Sequence, residues 1–216
     1  MGGRDQDLSY GAAPVQFCNV ETPIDDDCPC GMSLQEPTDD GKAHTAHHAA
    51  WAFGAQVPKN LEWSADLAVV TTQSPIAWRR LAYKVARMPQ KENHYDFRSW
   101  SHLGEPELTP DNMRAYLLKA NGCVIGYLSA HDTNQHLRWD LIDGSRYGDE
   151  DDALRPRINL IWVADVYRRQ GIGTTLVQAL ADDFGCQVAD VSWSSPISYA
   201  GRHLARRLSP EGVWVS

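Results

Sequence analysis

The chain has 216 residues, of which 43% are hydrophobic and 22% charged, the balance of a globular protein with room for one core and a small appendage. Its formal net charge of −8 sits at one end: residues 1–40 hold nine acidic side chains against Arg4, and the remainder is neutral. That balance argues against generic attraction to nucleic-acid phosphates, and no apolar run approaches the ~20 residues of a membrane helix.

In chain order, residues 1–15 read as a flexible acidic start. The opening residues lack a signal peptide's basic and apolar regions, so a cytoplasmic setting is expected. Five cysteines without a secretory leader do not suggest a disulfide framework. Residues 16–58 read as a small module, with Cys28-Pro29-Cys30 followed by His44 and His48, and Val57–Asn60 as a linker. From residue 59 the main domain is expected to run to residue 216. Leu67–Thr72 has strand composition. A helix follows, with Ser74 as N-cap and Trp78, Leu81, Ala82 and Val85 on one face. Residues 89–112 are expected as loop or short helices over the site.

Arg114–Lys119 and Cys123–Ala130 read as strands joined by Asn121-Gly122, the strongest short hairpin sequence. Residues 132–156 are polar and acidic and read as an insertion. A strand over Ile158–Val163, a helix over Thr174–Phe184 stopped by Gly185, a strand over Val188–Trp193, a helix over Tyr199–Leu208 and a strand over Val213–Val215 complete the pattern. The alternation predicts a mixed α/β sheet with flanking helices.

Two constellations carry chemistry. The first is the strand Ile161-Trp162-Val163 running into Arg168-Arg169-Gln170-Gly171-Ile172-Gly173-Thr174. Free N–H groups at a helix start and the helix dipole suit a pyrophosphate, and glycines let backbone approach its oxygens. Arg168 and Arg169 add positive charge. The run lacks the Lys-Ser/Thr of a phosphate-binding P-loop and the third glycine of a dinucleotide site.

The second is Cys28, Cys30, His44 and His48, two thiolates and two imidazoles of the type that hold Zn²⁺ tetrahedrally, with the histidines one helical turn apart. The one-residue cysteine spacing leaves open that Cys18 replaces Cys28 or that His47 replaces His48.

Arg168-x-x-Gly171-x-Gly173 after an apolar strand resembles the coenzyme A signature of the GNAT acetyltransferases. The resemblance implies the GNAT fold, acetyl-CoA as cosubstrate and transfer of acetyl to an amine. Pantetheine contacts would come from Ile161, Trp162 and Val163, and pyrophosphate contacts from Arg169 to Thr174. It also implies a thioester-polarising N–H from Val163 and a thiolate-protonating role for Tyr199; a packing role is the alternative for the tyrosine.

Residues 28–54 and 158–216 are similar to the zinc-finger-bearing cohesin acetyltransferases. The similarity runs through Cys30-Gly31-Met32, His44-x-x-x-His48, Leu160–Val163, the Trp193–Ile197 stretch, Gly201 and Leu204-Ala205. Asn159 and Ser195 stand where those enzymes place a serine and an aspartate, and are read as substrate- or coenzyme-orienting. The chain is read as a prokaryotic relative with a different acceptor: a protein lysine, a protein N-terminus or a small-molecule amine. The base is left open among Asp165, Glu105, Glu107 and His131, and Tyr95, Phe97, Trp100, His94 and His102 are candidate acceptor-pocket residues. The missing carboxylate motivates a second reading, a degenerate GNAT that binds coenzyme or a protein without turnover. A nucleic-acid-binding finger is disfavoured, since no basic helix accompanies His44–His48.

Overall fold

A computed structural model describes residues 28–32, 40–94, 100, 112–141 and 150–216. After a turn at Cys28–Cys30, the elements are α1 (Asp40–Phe53), β1 (Ala55–Gln56), β2 (Leu67–Thr71), α2 (Ile76–Glu92), β3 (Arg114–Ala120), β4 (Cys123–Thr133), β5 (Leu137–Trp139), β6 (Arg155–Val163), α3 (Ile172–Phe184), β7 (Ser192–Trp193), α4 (Tyr199–Leu208) and β8 (Val213–Val215).

The hairpin forms where Asn121-Gly122 predicts it. Both residues take positive φ, 52° and 75°, and Ala120 pairs with Cys123. The sheet runs β2-β3-β4-β6-β7-β8-β5, with β1 paired to the start of β4. Pairings are antiparallel except β6 with β7 and β7 with β8. This is the expected mixed, mostly antiparallel sheet.

The core lies between the sheet and its helices. Leu81, Ala82 and Val85 of α2 are buried, as their spacing requires, and α2 packs on β2, β4 and β6. Leu176, Val177 and Leu180 bury the facing stripe of α3 against β3, β4 and β6. Gly126 permits this close packing, since a Cβ there would meet Ile172 Cγ2 at 2.8 Å and Leu176 Cδ1 at 3.1 Å.

Four expectations are corrected. Ser74 does not cap α2: its Oγ accepts the Thr71 N–H at 2.9 Å, and Pro75 takes the N-cap position. The helix runs on through Pro89 to Glu92, where residues 89–112 read as loop or separate short helices. The 132–156 stretch contains β5, which pairs with β8, and the first residues of β6. Val188–Asp190 is a 3₁₀ turn and only Ser192–Trp193 pairs as strand. There Asp190 accepts the Gln187 N–H in a capping box, a local bond that competes with the sheet ladder.

Candidate coenzyme and metal sites

β6 and β7 pair only at Arg157–Ser192 and Ile158–Trp193, closed by Ser194 N–H to Ile158 O at 2.9 Å. Beyond that point the strands part. On the other edge β6 stays paired with β4 up to Gly126–Val163, and Ala164 N–H bonds Ile125 O. Antiparallel alternation then directs the main-chain groups of Trp162 toward β4 and those of Ile161 and Val163 toward the gap. Asn159, Ile161 and Val163 are partly exposed, while Leu160 and Trp162 are buried.

The gap leads into the loop. Asp165–Tyr167 forms a 3₁₀ turn, Arg169 sits at φ 63°, and Gly171 caps α3 at φ 86° with no side-chain cap. The first intrahelical bond is Thr175 N–H to Gly171 O, so the N–H groups of Ile172, Gly173 and Thr174 have no acceptor within the helix. The two glycines differ in purpose. A Cβ on Gly171 would meet nothing within 4 Å, so that position is open to a ligand and needs glycine for its φ. A Cβ on Gly173 would lie 3.0 Å from Leu204 Cδ2, so it serves the packing of α4 on α3.

Arg168, read from sequence as a coenzyme-binding residue, is anchored to protein groups while about a third of its side chain stays exposed. Nε donates to Val163 O at 3.0 Å, Nη2 to Glu92 Oε1 at 2.5 Å, and Nη1 lies 3.4 Å from Asp165 Oδ1. The guanidinium carbon stands 5.4 Å from the centre of the Trp51 ring. Arg169 is exposed, and Gln170 Nε2 donates to Val166 O, tightening the loop. Neither Glu92 nor Trp51 was singled out from sequence; for Trp51 the available sign was its place at i+3 from His48.

Asn159 is the extra residue where the β4–β6 register shifts. Its Oδ1 accepts from Arg157 Nε and Nη2, both at 3.2 Å, and its Nδ2 donates to His131 Nδ1 at 2.9 Å. Burial, reinforced by Arg157, holds His131 below the ordinary imidazole range. With Nδ1 taken by Asn159, that nitrogen is not free to accept a substrate proton, and Asp165 is paired with Arg168. Glu105 and Glu107 lie outside the described residues, as do Tyr95, Phe97 and His102. Trp100 is buried.

Ser195 is exposed just past β7. Tyr199 opens α4 with 81% of its surface exposed, its ring edge-on to His203 at 4.6 Å. The cap of α4 is Ser198, whose Oγ accepts Gly201 N–H.

The second constellation is assembled. One ligand atom from each of Cys28, Cys30, His44 and His48 lies within 4.8 Å of the others. Cys28 Sγ is 3.1 Å from His48 Nδ1 and Cys30 Sγ is 3.4 Å from His44 Nε2. A tetrahedral Zn²⁺ with ordinary bond lengths separates such ligands by about 3.3–3.8 Å, so the donor set and its spacing fit that ion. Burial keeps His48 below the usual imidazole range, favouring the neutral, ligating form. His47 is not in the cluster: its Nε2–H donates to Cys30 O at 3.2 Å, and burial pushes its pKa down to about 4. Cys18 lies outside the described residues. Gly31, at φ 71°, presses on the end of α2, where a Cβ would fall 2.0 Å from Lys91 O. The four described cysteines form no disulfide.

The model of the acetyltransferase (GNAT) family matches residues 76–193. Among solved structures, the chain is similar to the acetyltransferase domain of xEco2 bound to a CoA conjugate, at 19% identity and a TM-score of 0.59, covering 72% of this chain and 94% of that one. A second structure of the xEco2 domain gives 18% identity, a TM-score of 0.57 and coverage of 73% and 93%. A ribosomal-protein-alanine N-acetyltransferase from Brucella melitensis biovar Abortus 2308 gives 16% identity, a TM-score of 0.39 and coverage of 68% and 91%. No curated protein sequence matches the chain. No described helix is long and apolar enough to cross a membrane.

Proposed function

Because the chain belongs to the acetyltransferase (GNAT) family and is an acetyl-CoA-dependent N-acetyltransferase, we propose that it acetylates an amine of a protein or a small molecule within the gap between β6 and β7. The observation that carries this reading is the parting of those strands after Ile158, directly ahead of a helix start with free N–H groups. Ile161 and Val163 offer main-chain groups to the pantetheine arm, with Trp162 buried beneath them as the strand's anchor. The amides from Arg169 to Thr174 receive the pyrophosphate, with Gly171 leaving room for it. In this scheme Arg168 serves from behind the loop, by fixing Val163 O.

In the transfer, the amine nitrogen bonds to the acetyl carbon and the carbon–sulfur bond breaks. The Val163 N–H stabilises the oxyanion, and the Tyr199 hydroxyl returns a proton to the departing thiolate. Asn159, fixed between Arg157 and His131, and Ser195 orient the acceptor side. The amine's proton leaves through water.

We assign residues 16–58 to a structural Zn²⁺ module held by Cys28, Cys30, His44 and His48, and residues 59–216 to the transferase unit, with 1–15 as an acidic start. The module's end is stitched to the sheet by β1, which supports a cap that folds with the transferase. A cytoplasmic setting, where zinc-binding thiols stay reduced, belongs to the same proposal.

The test is calorimetric titration of purified chain with acetyl-CoA, followed by thiol release with lysine peptides, N-terminal peptides, polyamines and aminoglycosides. Binding with turnover on one class identifies the acceptor. Binding without turnover on any of them favours the degenerate reading, and no binding by folded protein refutes both.

A further inference from the structure

The metal cluster and the coenzyme loop are joined by an unbroken set of contacts. His44, His48 and Trp51 fall at i, i+4 and i+7, one face of α1, and His44 and Trp51 are buried. The His48 ring lies 5.4 Å from the Trp51 ring, and Trp51 in turn faces the Arg168 guanidinium at 5.4 Å. Arg168 holds Val163 O, the last residue of β6, and Asp165, in the turn that opens the coenzyme loop. That turn, Asp165–Tyr167, also packs on α1. A second route reaches the same guanidinium: Gly31, between the two cysteines and α1, abuts Lys91 O, and the next residue, Glu92, grips Arg168.

From these contacts we propose that Trp51, Glu92 and Arg168 are positioning residues through which occupancy of the Cys/His cluster sets the coenzyme loop. The inference rests on the zinc and coenzyme assignments above. The Cys28–Cys30 turn is a short stretch with no strand or helix of its own, held to α1 by the ligand side chains and by the His47 Nε2–H on the Cys30 carbonyl. A bound ion fixes the turn, and with it both the azimuth of α1 that aims Trp51 and the seat of Gly31 on α2. Arg168 is then clamped between an aromatic face, a carboxylate and the β6 carbonyl, a geometry in which each contact orients the planar guanidinium. Loss of the ion leaves the turn held to α1 chiefly by the His47 hydrogen bond to Cys30 O, and the loosened clamp defines less tightly where Val163 and the 165–171 loop lie. Linkage requires the converse: coenzyme raises the affinity of the module for its metal by the same factor.

The experiment uses the full chain, zinc-loaded or stripped by chelator, with zinc content measured by atomic spectroscopy, fold by circular dichroism and acetyl-CoA affinity by calorimetry. Stripping zinc should weaken acetyl-CoA binding about 5-fold or more. Zinc-loaded Trp51→Leu and Glu92→Gln should each bind acetyl-CoA several-fold more weakly while keeping one zinc per chain, and stripping zinc from Trp51→Leu should then have little further effect. The proposal is overturned if folded zinc-free protein binds acetyl-CoA as tightly as the loaded form, or if both zinc-loaded variants bind it like wild type. Should stripping unfold the chain, the zinc-loaded variants alone decide. A chain that takes up no zinc overturns the metal assignment, and this inference with it, in the zinc measurement. Failure of every form to bind acetyl-CoA overturns the coenzyme assignment in the calorimetry.

Discussion

Gly171→Ala, paired with Gly185→Ala, tests the coenzyme loop with a built-in control. Both glycines take left-handed backbone, at φ 86° and 65°, and a Cβ at either would meet nothing within 4 Å. Neither substitution creates a clash, so each is charged only the left-handed strain of an L-residue, about 1–2 kcal/mol. Urea unfolding should show a loss of about this size for Gly185→Ala and a smaller one for Gly171→Ala, whose loop relaxes while no ligand holds it. They differ in place. Gly171 is the N-cap of α3 at the proposed pyrophosphate site, and Gly185 is the C-cap at the far end of the same helix. In Gly171→Ala the loop relaxes away from the strained conformation and must regain it on binding, and the new methyl stands in the space left for phosphate. At 1.4 kcal/mol per decade, the strain alone corresponds to about 5–30-fold weaker acetyl-CoA binding. Gly185→Ala should bind within about 2-fold of wild type. Calorimetry on both decides the matter. Wild-type affinity in both variants would mean that the ligand does not lie on the Gly171 loop.

Tyr199→Phe keeps the ring against His203 and removes only the hydroxyl, so turnover on the identified acceptor should fall by about 10²-fold with acetyl-CoA affinity unchanged. An unaltered turnover number would return Tyr199 to a surface role. Cys30→Ser and His44→Ala each remove a buried member of the Cys/His cluster; under the proposed zinc assignment each should lower zinc content below one per chain and reduce the thermal midpoint by several degrees. Full zinc retention in both would remove them from the ligand set. Gly31→Ala adds a Cβ 2.0 Å from Lys91 O at a residue already at φ 71°, so it should destabilise by about 2–4 kcal/mol, more than Gly122→Ala, where φ is 75° and the space is open. Comparable urea midpoints for these two would show that the module does not seat on α2 as described. Tyr116 donates to Asp183 at 2.6 Å, and burial, with that carboxylate second, holds its pKa well above the ordinary phenol value. A raised folded pKa means the stabilisation is complete below the unfolded pKa of about 10 and is lost as pH rises past it. Stability measured from pH 8 upward should fall above about pH 10 in wild type and less steeply in Tyr116→Phe.

Much of the molecule was legible because its cues are local. Asn121-Gly122 dictates a hairpin wherever it lies between strand formers, and the face formed by Leu176, Val177, Leu180 and Phe184 declares α3. The strand–loop–helix around Gly171 needs only its own residues to create free amides at a helix start, and α4 begins and ends at Tyr199 and Leu208 as its periodicity implies. The Cys28, Cys30, His44 and His48 set was legible for the same reason: ligand chemistry and helical spacing are both properties of the chain itself.

What the sequence left open was settled by partners distant in the chain. Whether Arg168 faces a phosphate or the protein depends on Glu92, 76 residues earlier, and on Trp51, and no periodicity reports either contact. His47 and His48 offer the same imidazole; only the direction of α1 against the Cys28–Cys30 turn sends His48 to a thiol and His47 to the Cys30 carbonyl. β7 starts late because Asp190 satisfies the Gln187 amide locally, whereas the gap along β6 that the acetyl-transfer reading requires opens past the other end of β7, beyond the Ile158–Trp193 pair. Local propensity therefore determined the elements and the chemistry they carry, whereas the competition for each polar group among partners far apart in sequence decided which side chains face the ligand and which hold the frame.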